Sequence, residues 1–184
     1  IYQLKPGHFL YKGVEYPYWD WNSVPFTNLY DDLSLAVKLR LGGFRDAAVL
    51  LSGGLDSTII YKLALEQGLD ITPIHVENNE HSYAELLSDK LVYVNLDDVT
   101  DEDAVRIHQT PVDLGSVKPQ IAMARKLKEL GFHNVLTGDG ADELFGGYKR
   151  SSEYDSQMSD IFCELPYYHL PKLDRTMMRS TVEL

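Results

Sequence analysis

Ser52-Gly53-Gly54-Leu55-Asp56-Ser57 brings two glycines, two hydroxyls and a carboxylate into six consecutive positions, directly after an apolar run at 47–51 and before a stretch of helical periodicity. Glycines let the chain turn tightly and approach a ligand, while a helix start offers unpaired N–H groups and the positive end of its dipole. A phosphate or pyrophosphate suits that arrangement. Asp56 would repel a bare anion but not one bridged by a divalent cation, so the stretch predicts magnesium as well. Alone, the same residues serve equally as a structural turn with Asp56 or Ser57 capping the helix. Neither a GxxxxGKS/T loop nor a GxGxxG fingerprint is present.

The second chemically dense stretch, 137–148, holds three carboxylates (Asp139, Asp142, Glu143) and four glycines in twelve residues. A solvated acidic turn or a calcium loop is the alternative, although the spacing is not that of an EF-hand. Two glycine-rich turns carrying carboxylates, both at strand ends of one sheet, converge on a nucleotide and a metal.

Such turns need strands and helices in alternation. The run 47–51 reads as a buried strand, 56–67 as a helix closed by Gly68, 71–76 as a second strand and about 81–89 as a helix. A third strand at 91–95, an acidic helical stretch at 101–108, a basic amphipathic one at 117–130 and a fourth strand at 133–137 follow. Before them, Leu29, Leu33, Val37 and Leu41 recur every four residues and predict a helix ended by Gly42 and Gly43. Residues 1–26, aromatic and broken by Pro6, Gly7, Gly13, Pro17 and Pro25, predict a short hairpin and an arm whose rings pack against the domain. The tail 151–184 reads as helical in two pieces around Pro166 and Pro171. The expectation is an α/β fold, a parallel sheet with helices on both faces, divided into an arm (1–26) and a nucleotide-binding domain (27–184), with the ligand at the strand C-terminal ends.

Composition narrows the partners. Seventeen basic against 28 acidic residues give a net charge of -11 over 184 residues. Such a chain is repelled by nucleic-acid backbones and anionic membranes unless its cations cluster, and the densest basic run, 118–128, has the spacing of a solvated helix face. One cysteine, Cys163, excludes an internal disulfide or a multi-cysteine zinc site and suits a reducing compartment. With no apolar run near the roughly 20 residues of a membrane span and no leader pattern, the expected location is the cytoplasm. The six histidines show no metal spacing, so they are expected to be polar surface or capping residues.

Taken together, LSGGLDS (51–57) and, about eighty residues later, TGDGADELFGGY (137–148) resemble the synthetase domain of glutamine-dependent asparagine synthetases, within the PP-loop ATP pyrophosphatases and their adenine-nucleotide α-hydrolase-like fold. PGHFLYKGVEYPYWDW (6–21) resembles the final hairpin of that family's glutaminase domain, and LPYYHLPKLDRTMMRSTVEL (165–184) its later helical region. The resemblance implies that ATP adenylates the side-chain carboxylate of aspartate, releasing pyrophosphate, and that ammonia displaces AMP. It further implies that Ser52, Gly53, Gly54, Asp56 and Ser57 hold the pyrophosphate, with Asp56 and Asp142 on Mg2+. Leu50, Ile74 and Gly138 would flank adenine and ribose, and Glu80 would reach the ribose. Asp139 stands where many members have Glu and others Asp, beside the acyl-adenylate.

ATP, magnesium and a small carboxylic acid are therefore the expected ligands, with a separate glutaminase or a homodimer as the expected protein partner. No nucleophilic N-terminal cysteine precedes the arm, and the sequence ends before the family's arginine-proline segment and a later lysine; free ammonia or partner-supplied nitrogen is the corresponding expectation. Residues 112–116 stand where the family shapes its acceptor pocket and do not settle which acid is bound. Because the nucleotide motifs do not encode the acceptor, a β-lactam or macrocycle synthetase, or a catalytically silent nucleotide-binding module, fits the same residues.

Overall fold

The computed structural model describes residues 4–5, 7–19, 28–41, 46–77, 83–109, 111, 113–148, 161, 172 and 176. Strand β3 (Asp46–Leu50) is buried on both faces, which is what its unbroken apolar run requires. Ala47 and Val49, with Leu51 just beyond the strand, face one core, and Ala48 and Leu50 face the other. The first core is closed by helices α1 (Leu29–Leu41), α2 (Leu55–Glu66) and α3 (Tyr83–Leu87), through Val37, Leu41, Tyr61, Leu63, Ala64 and Ala84. The second is closed by α4 (Asp101–His108) and α5 (Leu114–Glu129), through Ala104, Ile107, Val117, Ile121 and Leu127. The α/β fold with helices on both faces of a parallel sheet is thus the one expected.

The sheet adds β4 (Asp70–Val76), β5 (Val92–Val94) and β6 (Val135–Leu136) in the order β5-β4-β3-β6, all parallel. The chain steps outward from β3 through β4 to β5, then crosses back to place β6 on the far side of β3. The direction of winding therefore reverses between β3 and β6. In open parallel sheets the crevice at that reversal, beyond the strand C-termini, is where ligands bind. The turn after β3 is 52–57 and the turn after β6 is 137–148, so both chemically dense stretches meet there.

An antiparallel hairpin, β1 (His8–Tyr11) and β2 (Val14–Pro17), precedes the sheet, turning through Lys12 and Gly13 at φ of 49° and 80°. Positive φ at both central residues gives the turn whose twist matches the strands. The expectation that the arm's aromatics pack on the domain is corrected at Phe9, Tyr11, Tyr16 and Tyr18. These are exposed, and Phe9 stacks on Tyr16 at 5.4 Å within the hairpin itself.

Helix α5 begins three residues before the expected start, because Asp113 caps it, accepting the N–H groups of Gly115 and Ser116 at 3.2 Å. Strands β5 and β6 are shorter than the apolar runs that mark them, and β6 pairs with β3 only at Ala48↔Val135 and Val49↔Leu136. Gly42, Gly43, Glu80, His81, Cys163, His169 and the expected helical pieces around Pro166 and Pro171 lie outside the described residues.

Candidate active site

The turn after β3 is shaped by its own small side chains. Gly53 takes φ of 86°, a region costly for any residue with a Cβ, and Gly54 opens α2. Ser52 Oγ accepts the Gly54 N–H at 3.2 Å and lies 3.1 Å from Ser57 Oγ, which donates to the Gly54 carbonyl at 3.2 Å. Thr58 Oγ1 donates to that carbonyl at 2.7 Å. The capping alternative therefore does not describe this helix start: the N-cap is Gly54 and no side chain caps it. First-turn N–H groups that no intrahelical carbonyl can accept are what a phosphate-binding helix start presents.

Gly138 brings the second turn against the first. A Cβ built there would sit 3.1 Å from both Asp56 Cβ and the Ser57 nitrogen, and 3.3 Å from the Asp56 carbonyl carbon. Glycine lets the β6 turn lie this close to the start of α2, where a Cβ would make unusually tight contacts and push the neighbours back by a few tenths of an ångström. The two turns enclose a cleft of about 230 Å³ lined by Leu50, Ser52, Gly54, Asp56, Ser57, Thr137, Gly138, Asp139, Gly140, Asp142, Glu143 and Tyr148.

Within the cleft the carboxylates differ in setting. Asp139 is exposed between Gly138 and Gly140, whose φ of 97° starts the short helix α6 (Ala141–Phe145). Asp142 lies on α6 and its carboxylate packs against Gly147, where any Cβ would overlap it. Glu143 is only 2% exposed and accepts the Tyr148 hydroxyl at 2.7 Å. Thr137, Gly140, Glu143 and Tyr148 are the lining residues that sequence reasoning left unassigned, although all four stand in the quoted motif.

Beside this cleft lies an apolar one of about 280 Å³, lined by Leu50, Leu51, Ser52, Ile74, His75, Val76, Pro119 and Met123. Leu50 and Ser52 belong to both, so the polar and apolar spaces adjoin. Ile74 is 0% exposed and forms the apolar floor. Of the predicted site residues, Leu50, Ser52, Gly54, Asp56, Ser57, Gly138, Asp139 and Asp142 line the polar cleft, Ile74 the apolar one, and Gly53 forms the turn between strand and helix.

Among the described residues no group of three or more His, Cys, Asp or Glu side chains is arranged to hold a metal. That donor set does not make a resident metal cage. It does fit magnesium arriving with a nucleotide, which needs one or two carboxylates together with phosphate oxygens and water. The histidine expectation is corrected at His75 and His108. Both are buried and hydrogen-bonded, His75 to the Leu51 carbonyl and His108 to Thr176.

Sheet order and site together define a parallel α/β protein whose glycine turns after two adjacent strands form one acidic cleft with an apolar annex. Residues 28–184 match the asparagine synthase family, and the chain belongs to that family. It is 29% identical to asparagine synthetase [glutamine-hydrolyzing] 1 of Arabidopsis thaliana, over 78% of this chain and 30% of the relative. It is 30% identical to the root asparagine synthetase [glutamine-hydrolyzing] of Pisum sativum, with the same coverage. The chain thus spans about a third of the length of the curated relatives it matches. A glutamine-dependent NAD+ synthetase from Acinetobacter baumannii, solved with ADP, superposes with a TM-score of 0.45 at 16% identity, over 73% of this chain and 30% of that one. No helix among the described residues is long and apolar enough to cross a membrane.

Proposed function

We propose that this chain carries the ATP-dependent half of an amide-forming ligase. A carboxylate oxygen of a small acid attacks the α-phosphorus of ATP and pyrophosphate leaves. Ammonia then attacks the activated carbonyl carbon, gives up a proton and displaces AMP. Aspartate is the acid in this reading and asparagine the product, with nitrogen delivered as ammonia, free or from a glutaminase, in the cytoplasm. Residues 27–184 form the synthetase domain and 1–26 a separate arm.

The roles follow the positions of the residues in the two motifs and, for Glu80, the family resemblance. The Ser52–Ser57 turn holds the departing pyrophosphate, where preorganised N–H groups stabilise the leaving group. Asp56 and Asp142 hold magnesium against the phosphates. Leu50, Ile74 and Gly138 flank adenine and ribose, with Glu80 reaching the ribose, and Asp139 stands beside the acyl group. The observation that carries the reading is the close approach of Gly138 to Asp56 and Ser57, which leaves one cleft shared by both motifs.

Phosphorus NMR of the protein with MgATP, aspartate and ammonium tests it. AMP and pyrophosphate are expected in equal amounts, because a turn that stabilises pyrophosphate directs cleavage between the α and β phosphates. Steady formation of ADP would overturn the reading.

A further inference from the structure

His75 sits behind the glycine turn, on the apolar cleft and not on the polar one. It is 4% exposed at the C-terminal end of β4, and its Nδ1 lies 2.7 Å from the Leu51 carbonyl oxygen. A carbonyl only accepts, so Nδ1 carries the hydrogen and donates. The Tyr93 ring meets the imidazole edge-on, centroids 6.0 Å apart and planes at 88°. The acceptor is well placed to matter. Pairing of β3 with β4 ends at Leu50↔Ile74, and Leu51 is buried one residue before Ser52, its own N–H donating to the Ile74 carbonyl at 2.9 Å.

We propose that His75 is a positioning residue for the nucleotide-phosphate turn: its Nδ1–H fixes the Leu51–Ser52 peptide plane and thereby the start of 52–57. In a trans peptide the C=O and the following N–H point in opposite directions, and the described residues contain no cis bond. Holding the Leu51 carbonyl toward His75 therefore aims the Ser52 N–H away from it. Without the donor, a buried carbonyl is left unsatisfied, and the peptide gains by rotating toward water. The turn then has to be ordered by the ligand at the ligand's expense in affinity. This role rests on the phosphate reading of the turn proposed above.

The test compares His75→Asn, His75→Gln and His75→Phe in the whole chain. An Asn amide nitrogen takes the place of Nδ1, a Gln amide nitrogen that of Nε2, and Phe keeps a ring without a donor. MgATP affinity by calorimetry is expected to fall at least about tenfold in the Gln and Phe variants and to stay within about threefold of the parent in the Asn variant. Adenosine, which has no phosphates, should lose less affinity than MgATP does in the Gln and Phe variants. Amide hydrogen exchange at Ser52 and Gly53 in the ligand-free protein should speed up in the Gln variant and not in the Asn variant. MgATP binding at parental affinity in His75→Gln, or a loss in His75→Asn as large as in His75→Gln, overturns the proposal. If His75→Phe does not fold, the Asn and Gln pair carries the comparison. Should the parent itself fail to bind MgATP, the phosphate reading falls, and the exchange rates alone decide His75: equal rates in the parent, Asn and Gln forms refute its role.

Discussion

Asp56 and Asp139 line the same cleft but are expected to fail differently when changed. Asp56 occupies the first turn of α2, where in the proposed function its carboxylate and a magnesium ion would together hold phosphate oxygens. Asp56→Ala should therefore weaken MgATP binding by about 2 kcal/mol, roughly thirtyfold, as measured by calorimetry. Asp139 is exposed between two glycines, and in the proposed reaction its carboxylate would meet the acyl group and take a proton as the amide forms. A general base in such a step is usually worth about 10²- to 10⁴-fold. Asp139→Asn keeps shape and hydrogen bonding without basicity. Acid-dependent exchange of labelled pyrophosphate into ATP should persist in this variant, while amide formation falls at least about tenfold. Equal loss of both would instead assign Asp139 to nucleotide or metal binding. Asp is one methylene shorter than Glu, so the β6 turn must come closer to the acyl group or work through a water.

The apolar annex depends on helices that are themselves held by charge. Pro119 and Met123 reach it from α5, and α5 is tied to α4 by Arg125, which pairs with Asp103 at 2.7 Å and donates to the Asp98 carbonyl at 3.0 Å. Asp103 also closes a capping box with Thr100. The Thr100 N–H that it accepts is the main reason its carboxyl is held down to about 2, with Arg125 and the Thr100 hydroxyl adding to the effect and partial burial opposing it. The folded value lies below the ordinary 3.8, so the contribution of this group to stability is present above that pH and is lost as pH falls toward about 2. Urea midpoints should show it. The parent should exceed Asp103→Asn by a constant margin above about pH 4, and the margin should close between about pH 4 and 2. A margin that does not change with pH would mean that Asp103 acts through shape alone.

At the scale of the whole molecule, a net charge of -11 opposes a polyanionic ligand, and three aspartates line the cleft that would take it. In the proposed reaction magnesium would make the nucleotide acceptable. MgATP at about a hundred times its dissociation constant should stabilise the fold by about 2.7 kcal/mol. At about 2–4 °C per kcal/mol for a chain of this size, the midpoint should rise by roughly 5–10 °C. The same ATP concentration with a chelator should give little shift. An equal shift without magnesium would remove Asp56 and Asp142 from their proposed role.

The amino-acid sequence alone determined the fold class and the family, because both rest on local patterns. An apolar run followed at once by SGGLDS can only be a buried strand, a tight turn and a helix start, and strands alternating with helices leave a parallel sheet as the economical solution. That the two motifs converge at strand ends of one sheet was expected from the sequence; tertiary structure decided that their strands are neighbours. Nothing in residues 133–137 says that β6 returns beside β3 instead of continuing beyond β5, since strand order is set by which apolar faces pack across the whole sheet and not by neighbours in the chain. The same holds for His75. In sequence it is an isolated histidine within an apolar strand, and only the register that ends β3 against β4 at Leu50↔Ile74 puts its Nδ1 within reach of the carbonyl just before the 52–57 turn. Local periodicity reports which face a residue occupies, whereas a hydrogen bond between residues 24 apart exists only once two strands have found their alignment.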